Sequence, residues 1–263
     1  MRPTPSSSNG IALEASGLPS AFVERLLRAA QPESGPRRRI RIERARACEA
    51  VAETVSDAGG FTIRLPGLDS AYGRAGSNFW SQALHEVFHV RYSDFERFRQ
   101  LDPYRARLAN VFEDVRVDRM GLASFPDYHR MRAADLQRRA FHSAGLFAVG
   151  RASSMRLRRD GEGRAAPCFA GSLENITRLL LIEAYEAGFF MKFPLTSKNR
   201  ARAAAEADIG EAAVEALVAA VQALDFERSA GAPDFAVSGA DAAAAIVLKR
   251  GASPMTRQID SFD

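Results

Sequence analysis

The stretch Gln82-Ala83-Leu84-His85-Glu86-Val87-Phe88-His89-Val90 carries two histidines four positions apart, and a glutamate follows the first of them directly. Positions four apart lie on one face of an α-helix, so His85 and His89 can bind one Zn²⁺ as neutral imidazoles. Glu86 then stands beside the metal as a candidate general base for a bound water. The chain has 4 histidines, and half of them lie in this single turn.

The residues around this motif are mostly apolar, which predicts that the helix is buried. They are Phe79, Trp80, Ala83, Leu84, Val87, Phe88 and Val90. A buried helix retains two histidines and a glutamate only where partners or a metal satisfy their polar groups. A chance HExxH match on an exposed helix lacks this context. The pattern therefore favours a metal site.

Length and composition are those of a globular chain. With 263 residues, of which 46% are hydrophobic and 26% charged, the sequence has room for one large domain or two small ones. No apolar run approaches the roughly 20 residues that a membrane span requires. The segment 1–17 is rich in Ser and Pro and lacks an apolar signal-peptide core. We therefore expect a cytoplasmic protein, with Cys48 and Cys168 reduced.

The net charge of +4 comes mainly from arginine, in runs at 37–46 and 156–159. Such runs usually form a solvated helix face. The alternative is a patch that contacts the phosphates of a nucleic acid. No aromatic residues are interleaved with these arginines, so the sequence supports nucleic-acid binding only weakly.

Local patterns predict an α+β fold that is predominantly α, with a small sheet. We expect a flexible segment with a short helix at 1–35, a zincin-like metal-binding core at 36–150 and a helical subdomain at 151–263. Within the helical subdomain we expect loops over 151–167 and 225–238 and a last short helix over 242–249. Within the core, the spacing of Ala47, Val51 and Val55 predicts a helix over 44–58. The alternation in 61–65 predicts a half-buried strand. A strand, a loop and a metal-binding helix in this order are typical of zincin peptidases, whose strand can pair with an extended substrate.

The third metal ligand is sought downstream of the motif. An HExxHxxGxxH site would need Gly and His where this chain has Tyr92 and Phe95, so that class is excluded. The other common arrangement takes a glutamate from a second helix, and Asp102-Pro103 begins such a helix, with Pro at the first helical position. Glu113 lies on it, 24 positions after His89.

Two further carboxylates lie close to Glu113 in the sequence. We assign Glu113 as the ligand, and keep Asp114 open as its rival. Asp118, or Asp114, would hold a histidine N–H from outside the metal shell. Arg116 could pair with one of these carboxylates. An exposed charged face with pairs at i,i+4 is the structural alternative. Asp94, His129 and His142 are weaker ligand candidates, and we expect the two histidines to be ordinary surface or helix-end residues.

Three motifs in order make the chain resemble a known family. They are His85-Glu86-Val87-Phe88-His89-Val90-Arg91-Tyr92-Ser93-Asp94-Phe95, then Asn110-Val111-Phe112-Glu113-Asp114-Val115-Arg116-Val117-Asp118, then Phe125-Pro126. Over about 77–135 this resembles the metallopeptidase-like region of CobT-like proteins, the relatives of the cobaltochelatase T subunit. In that family the region precedes an acidic linker and a von Willebrand A domain, neither of which is recognisable here. The resemblance implies an AAA+ ATPase partner.

These observations lead to one main expectation and two alternatives. We expect a zinc metallopeptidase acting on a protein or peptide, in which zinc on His85, His89 and Glu113 lowers the pKa of its water and Glu86 accepts the proton. The oxyanion stabiliser stays open between Arg116 and a tyrosine, with Tyr72, Tyr92 and Tyr128 as candidates. The alternatives are a non-catalytic CobT-like interaction module and a protease associated with DNA.

Overall fold

The computed structural model describes residues 20–31, 37–44, 52–57, 59–65, 76–141, 170–189, 191–229, 232 and 234–251. The chain divides into two compact units, Met1–Arg91 and Tyr92–Asp263. Most of the described residues are helical and three short strands form one sheet, which confirms the predicted α+β, predominantly α class. The predictions that concern Tyr72, His142, the two cysteines and the loop 151–167 lie outside these residues.

The elements are numbered in chain order. They are α1 (Ser20–Ala30), β1 (Ile40–Arg44), β2 (Glu53–Asp57), β3 (Gly60–Leu65), α2 (Gly76–Tyr92), α3 (Phe95–Arg99), α4 (Pro103–Ser124), α5 (Tyr128–Phe141), α6 (Ala170–Gly188), α7 (Leu195–Ile209), α8 (Glu211–Gln222), α9 (Phe226–Ser229) and α10 (Phe235–Gly251).

In the first unit the sheet has the order β1-β3-β2. β1 is parallel to β3, and β2 is antiparallel to it, with Thr54 opposite Ile63. Gly60 turns the chain into β3 at a φ of 132°, where a Cβ would approach the Arg39 carbonyl oxygen to 2.2 Å. The prediction of a helix over 44–58 is therefore wrong. Thr54 and Val55 belong to a strand that β3 stabilises by pairing, and that pairing outweighs the helical spacing of local apolar residues.

The predicted strand is confirmed as β3, but its role is corrected. β3 lies between β1 and β2, so its main-chain groups already pair on both sides. It cannot also pair with an extended substrate. Within the described sheet the outer strands are β1 and β2.

An apolar cluster of the buried Phe79 and the half-buried Phe22 and Trp80 brings α1 and α2 into contact. The Phe22 ring packs against Phe79 and Trp80, with centroid distances of 5.2 and 4.7 Å. Val87, Phe88 and Val90 are each fully buried. The expectation of a buried HExxH helix is confirmed, and the helix ends at Tyr92.

The second unit is helical throughout its described residues. Asp102 caps α4 by accepting the main-chain N–H groups of Tyr104 and Arg105, so the helix begins where the Asp-Pro pair predicted. α4 packs against α6 and α10, and the packing is close. A Cβ on Gly239 of α10 would come within 2.9 Å of the Phe112 ring. α10 begins at Phe235, whereas the sequence suggested a loop to 238 and a shorter last helix.

Candidate metal centre

One side of α2 is polar although it is buried. Its side chains are Ser81, Gln82, His85, Glu86 and His89, of which the two histidines and the glutamate are 8%, 9% and 6% exposed. Six apolar side chains of the same helix belong to the core, namely Phe79, Ala83, Leu84, Val87, Phe88 and Val90. Burying a carboxylate and two imidazoles is costly unless each has partners. The polar side is thus the place in the first unit where partners or a ligand are required.

The geometry of the histidine pair suits a shared metal ion. Nε2 of His89 lies 3.2 Å from Nε2 of His85. The two rings are nearly perpendicular, at 83°, with their centroids 4.6 Å apart. Two nitrogens at a tetrahedral zinc, each about 2.0–2.1 Å from the metal, are about 3.3 Å apart. The pair therefore fits a zinc ion, and the same separation also permits one Nε2–H to donate to the other Nε2.

Glu86 is held by a residue that the sequence did not single out. Thr54 Oγ1 on β2 lies 2.7 Å from Glu86 Oε2 and 3.1 Å from the Glu86 carbonyl oxygen, so the hydroxyl donates to the carboxylate. A bond to a buried carboxylate orients it and offsets part of its desolvation. Thr54 was missed because 44–58 was interpreted as a helix. The β-branched pair Thr54-Val55 was the available signal.

The structure brings Glu113 together with Arg116. Nε and Nη2 of the arginine donate to the two carboxylate oxygens of Glu113, each at 2.7 Å, and both side chains are buried. Nη2 also donates to the Tyr92 carbonyl oxygen at 2.6 Å. The predicted metal ligand and the predicted oxyanion stabiliser thus form a bidentate ion pair. In this pair the Glu113 carboxylate binds Arg116 where a metal was predicted. The Arg116 guanidinium binds Glu113 where an oxyanion was predicted.

Asp118 belongs to a second buried network. Its Oδ1 accepts from the Tyr128 hydroxyl at 2.5 Å, and its Oδ2 accepts from Tyr185 Oη at 2.6 Å and from Arg132 Nε at 2.8 Å. Burial raises the pKa of both tyrosine hydroxyls well above the ordinary value, so both remain protonated donors. Burial is the largest single influence on the pKa of Arg132 and would lower it. Asp118, Tyr185, Tyr128 and Asp135 together outweigh burial, so the pKa is raised. These contacts join α4, α5 and α6.

The remaining acidic and histidine candidates have different surroundings. Asp114 is half-buried, and its Oδ1 accepts from Asn110 Nδ2 at 3.2 Å. Asp94 caps α3 by accepting from the Arg97 main-chain N–H. His129 Nε2 lies 2.8 Å from the Phe189 carbonyl oxygen. Asp94 and His129 therefore have structural roles within the second unit.

Comparisons with other proteins do not assign the chain to a family. No protein-family model, no curated protein and no solved structure matches the chain. Within the described residues, no helix combines the length and the apolar character needed to cross a membrane. The functional interpretation consequently depends on the side chains themselves.

Proposed function

We propose that the chain is a zinc-dependent metallopeptidase of zincin type, related to the CobT-like proteins. The observation that carries the proposal is the buried pair of imidazole nitrogens, 3.2 Å apart, on the helix face that also presents the buried Glu86 carboxylate. Two neutral imidazoles and a nearby carboxylate that does not have to ligate are the donor set of a hydrolytic HExxH site.

For the third ligand we propose Asp114. His85, His89 and Asp114 make a group of side chains that could hold one metal ion. Glu113, which the spacing favoured, has both carboxylate oxygens on Arg116. Taking Glu113 into the metal shell would disturb its buried bidentate pair with the Arg116 guanidinium, which is unfavourable. Glu113 and Arg116 therefore support the fold of α4.

Each residue of the proposed site has a separate role in hydrolysis. His85, His89 and Asp114 would hold the zinc ion, which would supply Lewis-acid chemistry and lower the pKa of a water to about 7. Glu86 would accept a proton from the water as that water forms a bond to the peptide carbonyl carbon. It would return the proton to the amine nitrogen as the C–N bond breaks. Thr54 holds Oε2 of that carboxylate in one orientation. Because Arg116 is already engaged by Glu113 and by the Tyr92 carbonyl, we assign it no role at the oxyanion.

β2 is the strand that supports the zincin-like interpretation. It is an outer strand of the described sheet, and its Thr54 hydroxyl contacts Glu86 on α2. An extended peptide can add to an outer strand through main-chain hydrogen bonds. β2 thus replaces β3 as the proposed place for the substrate main chain.

The experiment is metal analysis combined with peptide cleavage, for the wild type and the Glu86→Gln variant. We expect one zinc per chain in both proteins. Cleavage of a proteome-derived peptide library should occur with the wild type and be lost with Glu86→Gln, because the amide cannot accept the proton. Bound iron in place of zinc would contradict the assignment, since two histidines and one carboxylate also suit non-haem iron.

Two other functions make different predictions. A non-catalytic module that works with an AAA+ ATPase would bind its partner equally well with Glu86 or Gln at that position, and would cleave nothing. A DNA-associated protease would bind DNA with an affinity that falls steeply as salt rises. Arg41 in β1 already lies 3.6 Å from Glu43, which weakens its attraction to phosphate.

A further inference from the structure

Gln82 is a buried amide without a partner. Gln82 is 2% exposed, and neither its Nε2 nor its Oε1 has a hydrogen-bond partner among the described residues. Buried polar atoms in folded proteins nearly always have partners, because leaving one unsatisfied is costly. Gln82 contributes an unmatched donor and an unmatched acceptor at the same place. Such a residue points to a function that offsets its cost.

The position of Gln82 on α2 identifies the site that it serves. A helix turns by about 100° per residue, so Gln82 lies about 60° from His85 and about 40° from Glu86 around the helix. Along the axis it precedes Glu86 by about 6 Å, at about 1.5 Å per residue. This places Gln82 on the polar side of α2, one turn before the histidine pair. Its neighbour Ser81 is also buried, with an Oγ that has no partner within the described residues.

The chemistry of a carboxamide indicates what it binds. Gln presents an N–H donor and a carbonyl acceptor side by side, and it carries no charge. A main-chain amide offers the complementary acceptor and donor. A phosphate or carboxylate ligand would leave the Oε1 acceptor unsatisfied, and a cation would leave Nε2 unsatisfied. An extended peptide advances about 3.3 Å per residue, so 6 Å corresponds to about two residues.

We propose that Gln82 is a substrate-binding residue whose carboxamide hydrogen-bonds the main chain of an extended peptide, within about two residues of the bond that is cleaved. This inference rests on the proposed metallopeptidase function. It specifies that the substrate is recognised through its backbone on the polar side of α2.

The test uses peptide hydroxamates, in which a zinc-binding group is joined to a short peptide, and acetohydroxamate as the probe that lacks the peptide. Affinities are measured for the zinc-loaded wild type, for Gln82→Met and for the control Gln222→Met, an exposed glutamine at the end of α8. We expect Gln82→Met to weaken the peptide hydroxamate about tenfold and to leave acetohydroxamate unchanged. The ligand-free melting temperature of Gln82→Met should stay level or rise, because a buried unsatisfied amide is removed.

A second comparison works on the wild type alone, so it does not depend on how a variant folds. The peptide hydroxamates are remade with each main-chain N–H methylated in turn. One methylation should weaken binding about tenfold in the wild type, and have little further effect in Gln82→Met. If no methylation matters, or if Gln82→Met loses thermal stability while its hydroxamate affinity is unchanged, the inference is overturned. If acetohydroxamate fails to bind the wild type, the metal proposal itself fails, and the inference fails with it.

Discussion

Replacing Thr54 by Val removes the hydroxyl that donates to Glu86 while preserving the shape and β-branching of the side chain. The bond is short, at 2.7 Å, and its acceptor is a carboxylate that is 6% exposed. A hydrogen bond to a charged group contributes about 1.5–3 kcal/mol, and a buried carboxylate left without it retains its desolvation cost. We therefore expect Thr54→Val to lower the free energy of unfolding by about 2 kcal/mol. Thr54→Ser keeps the hydroxyl and should cost less than half of that.

A double-mutant cycle isolates this bond. Chemical denaturation is measured for the wild type, Thr54→Val, Glu86→Leu and the double variant. The two single effects should fail to add by about 1–2 kcal/mol, because both remove the same interaction. For the proposed peptidase activity, kcat/KM should also fall about tenfold with Thr54→Val, which corresponds to about 1.4 kcal/mol of transition-state stabilisation. Additive effects within about 0.5 kcal/mol, or equal losses with Val and Ser, would refute the positioning of Glu86 by Thr54.

Three further predictions concern the second unit. Asp118→Asn should lower the free energy of unfolding by about 3–5 kcal/mol in chemical denaturation, because it removes the closer of the two carboxylates that pair with the buried Arg132 guanidinium and leaves only Asp135, at 3.8 Å. A loss below about 1 kcal/mol would count against this network. Gly239→Ala should cost about 1–3 kcal/mol, since the added Cβ meets the Phe112 ring at 2.9 Å; an unchanged melting temperature would disprove that close approach. Tyr128 and Tyr185 have raised pKa values when folded, so their contribution is fully present below about pH 10, the unfolded pKa, and is lost as pH rises above it. Stability measured against pH should fall in that alkaline range, and a rise there would contradict the assignment.

Local sequence patterns predicted the elements that local interactions determine. The apolar surroundings of His85 and His89 predicted a buried helix, and Asp102-Pro103 predicted the start of α4. In both cases the information lies within a few neighbouring positions, as capping and helical periodicity require.

Non-local pairing explains what the sequence could not predict. Thr54 lies in β2 because β3 pairs with it, and the spacing of apolar residues along 44–58 carries no record of that partner. Glu113 was favoured as a ligand by its distance from His89 along the chain, whereas Arg116 holds it in a buried pair. Whether Arg116 would turn toward Glu113 or toward Asp114 depends on three-dimensional packing. Spacing alone does not contain that information.

The identity of the third ligand is the point on which the sequence prediction and the proposed site differ. The sequence spacing favoured Glu113, and the proposed site uses Asp114. Asp114→Asn and Glu113→Gln are matched substitutions, since each exchanges one carboxylate for an amide of the same size. Asp114→Asn changes the proposed metal ligand, and Glu113→Gln changes the proposed partner of Arg116. Glu113→Gln can still accept a hydrogen bond from Arg116, which helps the variant to fold.

Zinc stoichiometry after dialysis, measured by elemental mass spectrometry on the wild type and these two variants, tests the central claim most directly. We predict one zinc per chain in the wild type, loss of most of it in Asp114→Asn, and retention in Glu113→Gln. A wild type without stoichiometric metal would contradict the metal centre at His85 and His89. Retention in Asp114→Asn with loss in Glu113→Gln would restore Glu113 as the ligand and contradict the structural role of its pair with Arg116.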